Sequence, residues 1–179
     1  VDAEAGRLIL EQLVAKGLDV RLGVDVTAFE GDSSGRVRQA LLSDGTRLEC
    51  DIAVIGKGVV PTMGFLPPEV KTRAAIVVDE HQETTVEGIY AAGDCAESFD
   101  ITTQTKKVLA LLPNAYMQGH AAGVNMAGGE ESFDTAMPMN AIGFKSLHIL
   151  TAGAYVGDVY ETYDEDNFKR LYYSDGLLK

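Results

Sequence analysis

Residues 84–97 read TTVEGIYAAGDCAE, a β-branched and apolar run that passes into small residues and then a Gly-Asp pair. Ala91, Ala92 and Gly93 carry so little side chain that the backbone of a ligand can lie against the protein's own. Asp94 follows with a carboxylate that accepts hydrogen bonds from sugar or ribityl hydroxyls, which is why acidic residues read ribose in dinucleotide folds. The stretch therefore predicts a strand that ends in a tight, ligand-facing turn.

Downstream, PNAYMQGHAAGVNMAGG (113–129) predicts a helix capped by Asn114 and stopped by Gly128-Gly129. Its spacing puts Ala115, Gly119, Ala122, Gly123 and Met126 on one face. The free amides and partial positive charge at its N-terminus suit an anionic group. Upstream, DIAVIG (51–56) is continuously apolar, as buried parallel strands are, and leads into Gly56-Lys57-Gly58-Val59-Val60-Pro61. Three prolines between 61 and 68 suggest a linker between two lobes.

The remaining segments predict a helix over 4–16, with Ala5, Leu8, Ile9 and Leu13 on one face, Asp2 as N-cap and Gly17 as stop. Short strands follow at 18–22, 24–29, 37–42 and 46–50, with a loose turn at Gly31–Gly35 and a hairpin at Asp44-Gly45. AAIVVD (74–79) reads as another strand, and residues 101–105 as a Thr-rich loop. The tail from Asn140 is strand-like and carries a second Asp-Gly turn at Asp175-Gly176, three residues before the last, which suggests a hairpin without its return strand.

At 179 residues with 46% hydrophobic and 23% charged, the chain can bury a sizeable core. A net charge of −12 with scattered Lys and Arg argues against nucleic acid, whose phosphates need a basic face. No 18-residue apolar run or secretion signal is present, so neither membrane insertion nor export is expected and a cytoplasmic location is the default. Cys50 and Cys95 form no paired motif and read as free thiols, and no metal site is expected. His81, His120 and His148 read as surface or packing residues rather than general bases.

The 84–97 segment resembles the second FAD-binding motif of the pyridine nucleotide-disulfide oxidoreductase family, whose usual form is a Thr-containing strand followed by I-[YF]-A-x-G-D. The 113–129 helix and the FKRLYYSDG stretch (168–176) look most similar to the NADH oxidase, nitrite reductase and rubredoxin reductase branch. The resemblance implies an α/β FAD/NAD(P)-binding Rossmann-like three-layer fold. On that scheme 1–60 is the latter part of the NAD(P) domain, 61–134 the closing part of the FAD domain and 135–179 the start of an α+β C-terminal interface domain.

Cofactors FAD and NAD(P)H follow from the same resemblance. Asp94 would hold the ribityl chain, Gly93 and Cys95 would lie near the pyrophosphate, and Asn114, Ala115 and Tyr116 would contact the flavin. Gly56, Gly58 and Pro61 would border the nicotinamide path. The implied activity is hydride transfer from NAD(P)H to FAD and on to an unidentified acceptor, with homodimerisation through the C-terminal domain. Neither G-x-G-x-x-G loop is present, so the family pattern assigns both to a missing N-terminal half. This leaves a second expectation, a catalytically silent structural or interaction module. A simple Rossmann dehydrogenase is disfavoured by the antiparallel meander between the first helix and the buried strand.

Overall fold

A computed structural model describes residues 1–144, 146–164 and 167–179. It divides into two compact units, Ala3–Gly58 and a second made of Val1–Asp2 with Val59–Lys179.

The first unit holds helix α1 (Ala3–Ala15) and an antiparallel sheet in the order β1-β2-β3, from β1 (Val26–Gly31), β2 (Val37–Leu42) and β3 (Arg47–Glu49). Gly17 stops α1 as expected. It adopts φ +86°, which only glycine takes at low cost, and Leu18 N–H returns to Leu13 C=O at 3.2 Å. The Asp44-Gly45 hairpin is also present. Gly45 has φ +85°, and Leu41 pairs with Arg47 across the turn. Ala40 and Leu42 alternate inward along β2 and are buried.

Two expected strands are absent. Residues 18–22 form none, and Leu18 and Leu22 are exposed. The predicted buried strand at 51–55 is extended but unpaired, with Ile52, Val54 and Ile55 at 73–92% exposure. A strand exists only by hydrogen bonding to a neighbour. Among the described residues no backbone pairs with 51–55.

In the second unit, one core gathers Val70, Ile76, Val78 and Ala96, with Met63, Leu66, Val86, Ile89, Ala91 and Cys95 packed against it. Cys95 is thus a small packing residue, as its sequence context suggests. A second cluster joins Ala121, Phe133 and Ala136. The predicted strands at 74–79 and 88–94 reduce to single bridges: Ile76 with Ala96, Val78 with Thr84 and Glu83 with Tyr90.

Strands β4 (Ser98–Asp100) and β5 (Thr105–Lys107) form a hairpin around the Thr-rich loop. Helix α2 (Leu112–Met126) follows. The tail contains the pair β6 (Met139–Phe144) and β7 (Leu147–Ala152). It also contains a three-stranded sheet of β8 (Asp158–Tyr163), β9 (Phe168–Ser174) and β10 (Leu177–Leu178), in the order β10-β9-β8. Lys145, Glu165 and Asp166 of the strand-like tail lie outside the described residues. The Asp175-Gly176 turn does have a return strand, two residues long, in which Leu177 pairs with Ser174 and Leu178 with Tyr173. All four sheets are antiparallel.

Asp100 organises the Thr-rich loop from within. Its side chain is fully buried and accepts from Thr102 N–H at 2.8 Å, Thr102 Oγ1 at 2.7 Å and Thr103 Oγ1 at 3.1 Å, and it pairs with the Lys107 ammonium. Burial alone raises a carboxyl pKa, but Lys107 and the threonine donors outweigh it and hold the group at about 2. An unfolded Asp titrates near 4. The stabilisation is therefore complete above about pH 4 and disappears as pH falls through about 2. Asp100→Ala should lose about 2–3 kcal/mol of stability at neutral pH, since Thr102, Thr103 and the Lys107 ammonium lose the carboxylate they share. Urea titrations from pH 7 to pH 2 should show the wild type converging on the variant at the acid end.

Candidate cofactor site

The predicted Gly-Asp turn is a single turn of 3₁₀-helix, Gly93–Cys95, in the second unit. Gly93 adopts φ +79°, and Ala96 N–H closes the turn onto Gly93 C=O at 3.0 Å. Ile76 straps the turn from behind. Its N–H donates to Cys95 C=O at 2.8 Å and its C=O accepts from Glu97 N–H at 2.9 Å. The approach is equally constrained, because Ala91 N–H donates to Gln82 C=O at 3.0 Å and Thr84 N–H to Ile89 C=O at 2.8 Å. Thr84 Oγ1 takes the Val86 N–H at 3.1 Å. The threonine, the branched residues and the alanines thus deliver Asp94 at the end of a fixed backbone path.

Asp94 is exposed, and its carboxylate makes no hydrogen bond or ion pair among the described residues. That contrasts with its neighbours. Glu97 is 4% exposed and takes the Arg73 guanidinium, and Asp100 is enclosed as described.

Helix α2 lies against the turn. A Cβ added to Gly93 would stand 3.5 Å from the Ala115 Cβ. Asn114 is not the N-cap, as the sequence suggested. The helix starts at Leu112, Leu111 takes the cap position without a side-chain bond, and Pro113 sits in the first turn. Proline's fixed φ favours helix there and moves the start ahead of Asn114. The Asn114 side chain is buried and donates to Met137 C=O at 3.2 Å. The helix N-terminus is left without a side-chain cap, and ahead of the first intrahelical bond, from Ala115 N–H to Leu111 C=O, only Leu112 and Asn114 carry an N–H, because Pro113 has none.

The buried face of α2 is Asn114, Gln118, Ala121 and Ala122, displaced by about one residue from the predicted small-residue face. Gly119, Gly123, Met126 and Tyr116 are exposed instead. Gly128 and Gly129 end the helix as expected, with Gly129 N–H returning to Val124 C=O at 3.0 Å.

Of the nine predicted site residues, Gly93, Asp94, Cys95, Asn114, Ala115 and Tyr116 are brought together at this turn and helix start. Gly56 and Gly58 belong to the first unit and Pro61 to the second. Gly58 has φ +81°, and a Cβ on either glycine would meet nothing within 4 Å. A cavity of about 490 Å³ in the second unit, lined by residues including Gln82, Glu97, Phe99, Lys106 and Phe133, contains none of the nine. His81 lines it too, and its Nδ1 contacts Glu131 C=O at 3.0 Å, a bond that raises its pKa against the opposing effect of burial.

Sequence reasoning missed Gln118 and Ser98. Gln118 is 1% exposed, and its Oε1 accepts from Gly93 N–H at 2.8 Å. Its Nε2 donates to Ser98 Oγ at 2.7 Å. The signal was a large polar side chain four residues after Asn114, in line with alanines that the helix buries.

Residues 1–119, two thirds of the chain, match the family described as Pyridine nucleotide-disulphide oxidoreductase. The chain belongs to that family. It is 31% identical to the NADH-dependent phenylglyoxylate dehydrogenase subunit epsilon of Aromatoleum evansii, over 99% of this chain and 44% of that protein. It is 29% identical to the rubredoxin-NAD(+) reductase of Pseudomonas putida, over 72% of this chain and 33% of that one. The solved ferredoxin reductase for the CYP199A2 system of Rhodopseudomonas palustris superposes with TM-score 0.82 at 26% identity, covering 99% of this chain and 45% of that structure. The fold class is thus the α/β class expected. The chain spans less than half the length of these relatives.

Gly93→Ala should cost about 1–2 kcal/mol through the left-handed backbone alone, because the added methyl meets Ala115 at ordinary contact distance. A urea midpoint shift of that size, with an unchanged slope, is the expected reading.

Proposed function

We propose that the protein to which this chain belongs passes hydride from NAD(P)H to FAD and its electrons onward to an acceptor, and that the Gly93–Cys95 turn with the start of α2 holds part of the FAD. The observation that carries this reading is Asp94. It is an exposed carboxylate without a partner, carried on a backbone fixed by Ile76 and Gln118 and next to an uncapped helix start. Such a carboxylate accepts two hydroxyl hydrogen bonds and leaves room for a polyol chain, since Gly93 and Ala92 present no bulk.

The chemistry of the bound group is that of a flavin, which takes up a hydride and releases electrons. This chain's residues orient it. Asp94 anchors the sugar-alcohol arm. The first-turn amides of α2 direct their partial positive charge toward any negative charge that builds on the ring, favouring the reduced form. The Cys95 side chain packs in the core, so on this reading the main chain of its turn is what lies near the pyrophosphate. Gly56, Gly58 and Pro61 border the nicotinamide approach on this reading, where small residues keep the passage open.

Two further parts of the reading rest on other observations. A cytoplasmic location is supported by two cysteines that remain unpaired. A homodimer through the C-terminal strands is supported by Tyr160, Tyr163, Leu171 and Tyr173, large side chains exposed on β8 and β9.

Asp94→Ala tests the central claim. Loss of charge-assisted hydrogen bonds should weaken FAD binding about tenfold or more. The flavin-to-protein ratio after purification of the full-length protein, read from visible absorbance, should fall accordingly. An undiminished ratio would remove Asp94 from the site.

A further inference from the structure

Gln118 is a polar side chain that α2 buries beside the turn, and two of its three hydrogen bonds are to groups that cannot exchange roles. Gly93 N–H is only a donor, so it requires the amide oxygen, at 2.8 Å. Glu97 C=O is only an acceptor, so it requires the amide nitrogen, at 3.4 Å. Ser98 Oγ, 2.7 Å from the same nitrogen, completes the set. The amide therefore has one allowed orientation, and it spans both flanks of Asp94 in the chain, Gly93 on one side and Glu97–Ser98 on the other.

Among the described residues no other group bonds the Gly93 amide. Ile76 holds Cys95 and Glu97 from the opposite side but makes no bond to the Gly93 amide. The closing bond from Ala96 uses the Gly93 carbonyl, so the Gly93 N–H depends on Gln118. Gly93 is also the residue whose left-handed φ sets the direction of the chain into Asp94. A glycine without a side chain and with an unbonded amide would be free to sample other conformations. Bonded to a fully buried glutamine on a helix, it is confined to one.

We infer that Gln118 is a positioning residue for flavin binding: it locks the Gly93 peptide against α2 and so fixes the place of the Asp94 carboxylate relative to the helix start. This rests on the proposed FAD role of Asp94. It predicts energetic coupling between two side chains that do not touch the same hydrogen-bond partner.

The test is a double-mutant cycle in the full-length protein, with FAD affinity measured by fluorescence titration of the flavin-free form. Asp94→Ala alone must weaken FAD, and if it does not, the flavin reading fails and this inference with it. Given that loss, Gln118→Met should weaken FAD about fivefold when Asp94 is present and less than about twofold in the Asp94→Ala background. Its effect on the melting temperature should be the same in both. An equal loss of FAD affinity in both backgrounds, or none in either, would overturn the positioning role while leaving Asp94 in place. Should Gln118→Met fail to fold, Ser98→Ala in the same cycle decides it. That variant removes one anchor of the amide and should weaken FAD about threefold only when Asp94 is present.

Discussion

The bond from the Gly93 amide to the buried Gln118 side chain joins the Gly93–Cys95 turn to helix α2. A 3₁₀-turn of three residues has little stability of its own, and a helix start has unsatisfied amides but no means of facing a given ligand. Tied together through the buried Gln118 side chain, each fixes the other. Desolvation raises the stakes, since an amide and a glutamine that lost one another there would each remain unsatisfied. The same economy appears at Asp100, where one carboxylate accepts from a backbone amide, two threonines and a lysine to shape the loop that leads toward α2.

How much of this could be read in the amino acids depends on how local each cause is. Gly17, Gly45 and Gly128 mark real ends and turns because left-handed φ is a property of the residue itself. The Gly-Asp turn was equally legible, since the small residues and the acid lie next to one another. Ile52–Ile55 and the 74–79 and 88–94 segments were not, because a strand is a relation between two stretches of backbone and apolar content does not say where the second is. The face of α2 was read one residue out of phase. The small residues Ala115, Gly119 and Gly123 suggested close packing, whereas the interior selected the polar pair Asn114 and Gln118 to satisfy carbonyls and an amide that no alanine could reach.

Asn114 shows how one residue shifts a helix boundary. Asparagine is a strong N-cap, but Pro113 before it already has helical φ, so the helix takes in both and begins at Leu112. The cap position passes to Leu111, which has no side-chain acceptor to offer. For a stable isolated helix this is a defect; at the flavin site proposed above it would leave the Leu112 and Asn114 amides for an anionic group.

The extended run from Ile52 to Val60 has a consequence for the chain in solution. Its isoleucines and valines are exposed and its backbone is unpaired, which makes it a template onto which a like segment from another molecule could add edge to edge. Gly56-Lys57-Gly58 interrupts it at the middle with two poor strand formers and a charge, dividing it into halves too short to zip. In this chain, which spans less than half the length of its relatives, that tripeptide and twelve excess negative charges together oppose edge-to-edge association of the exposed run.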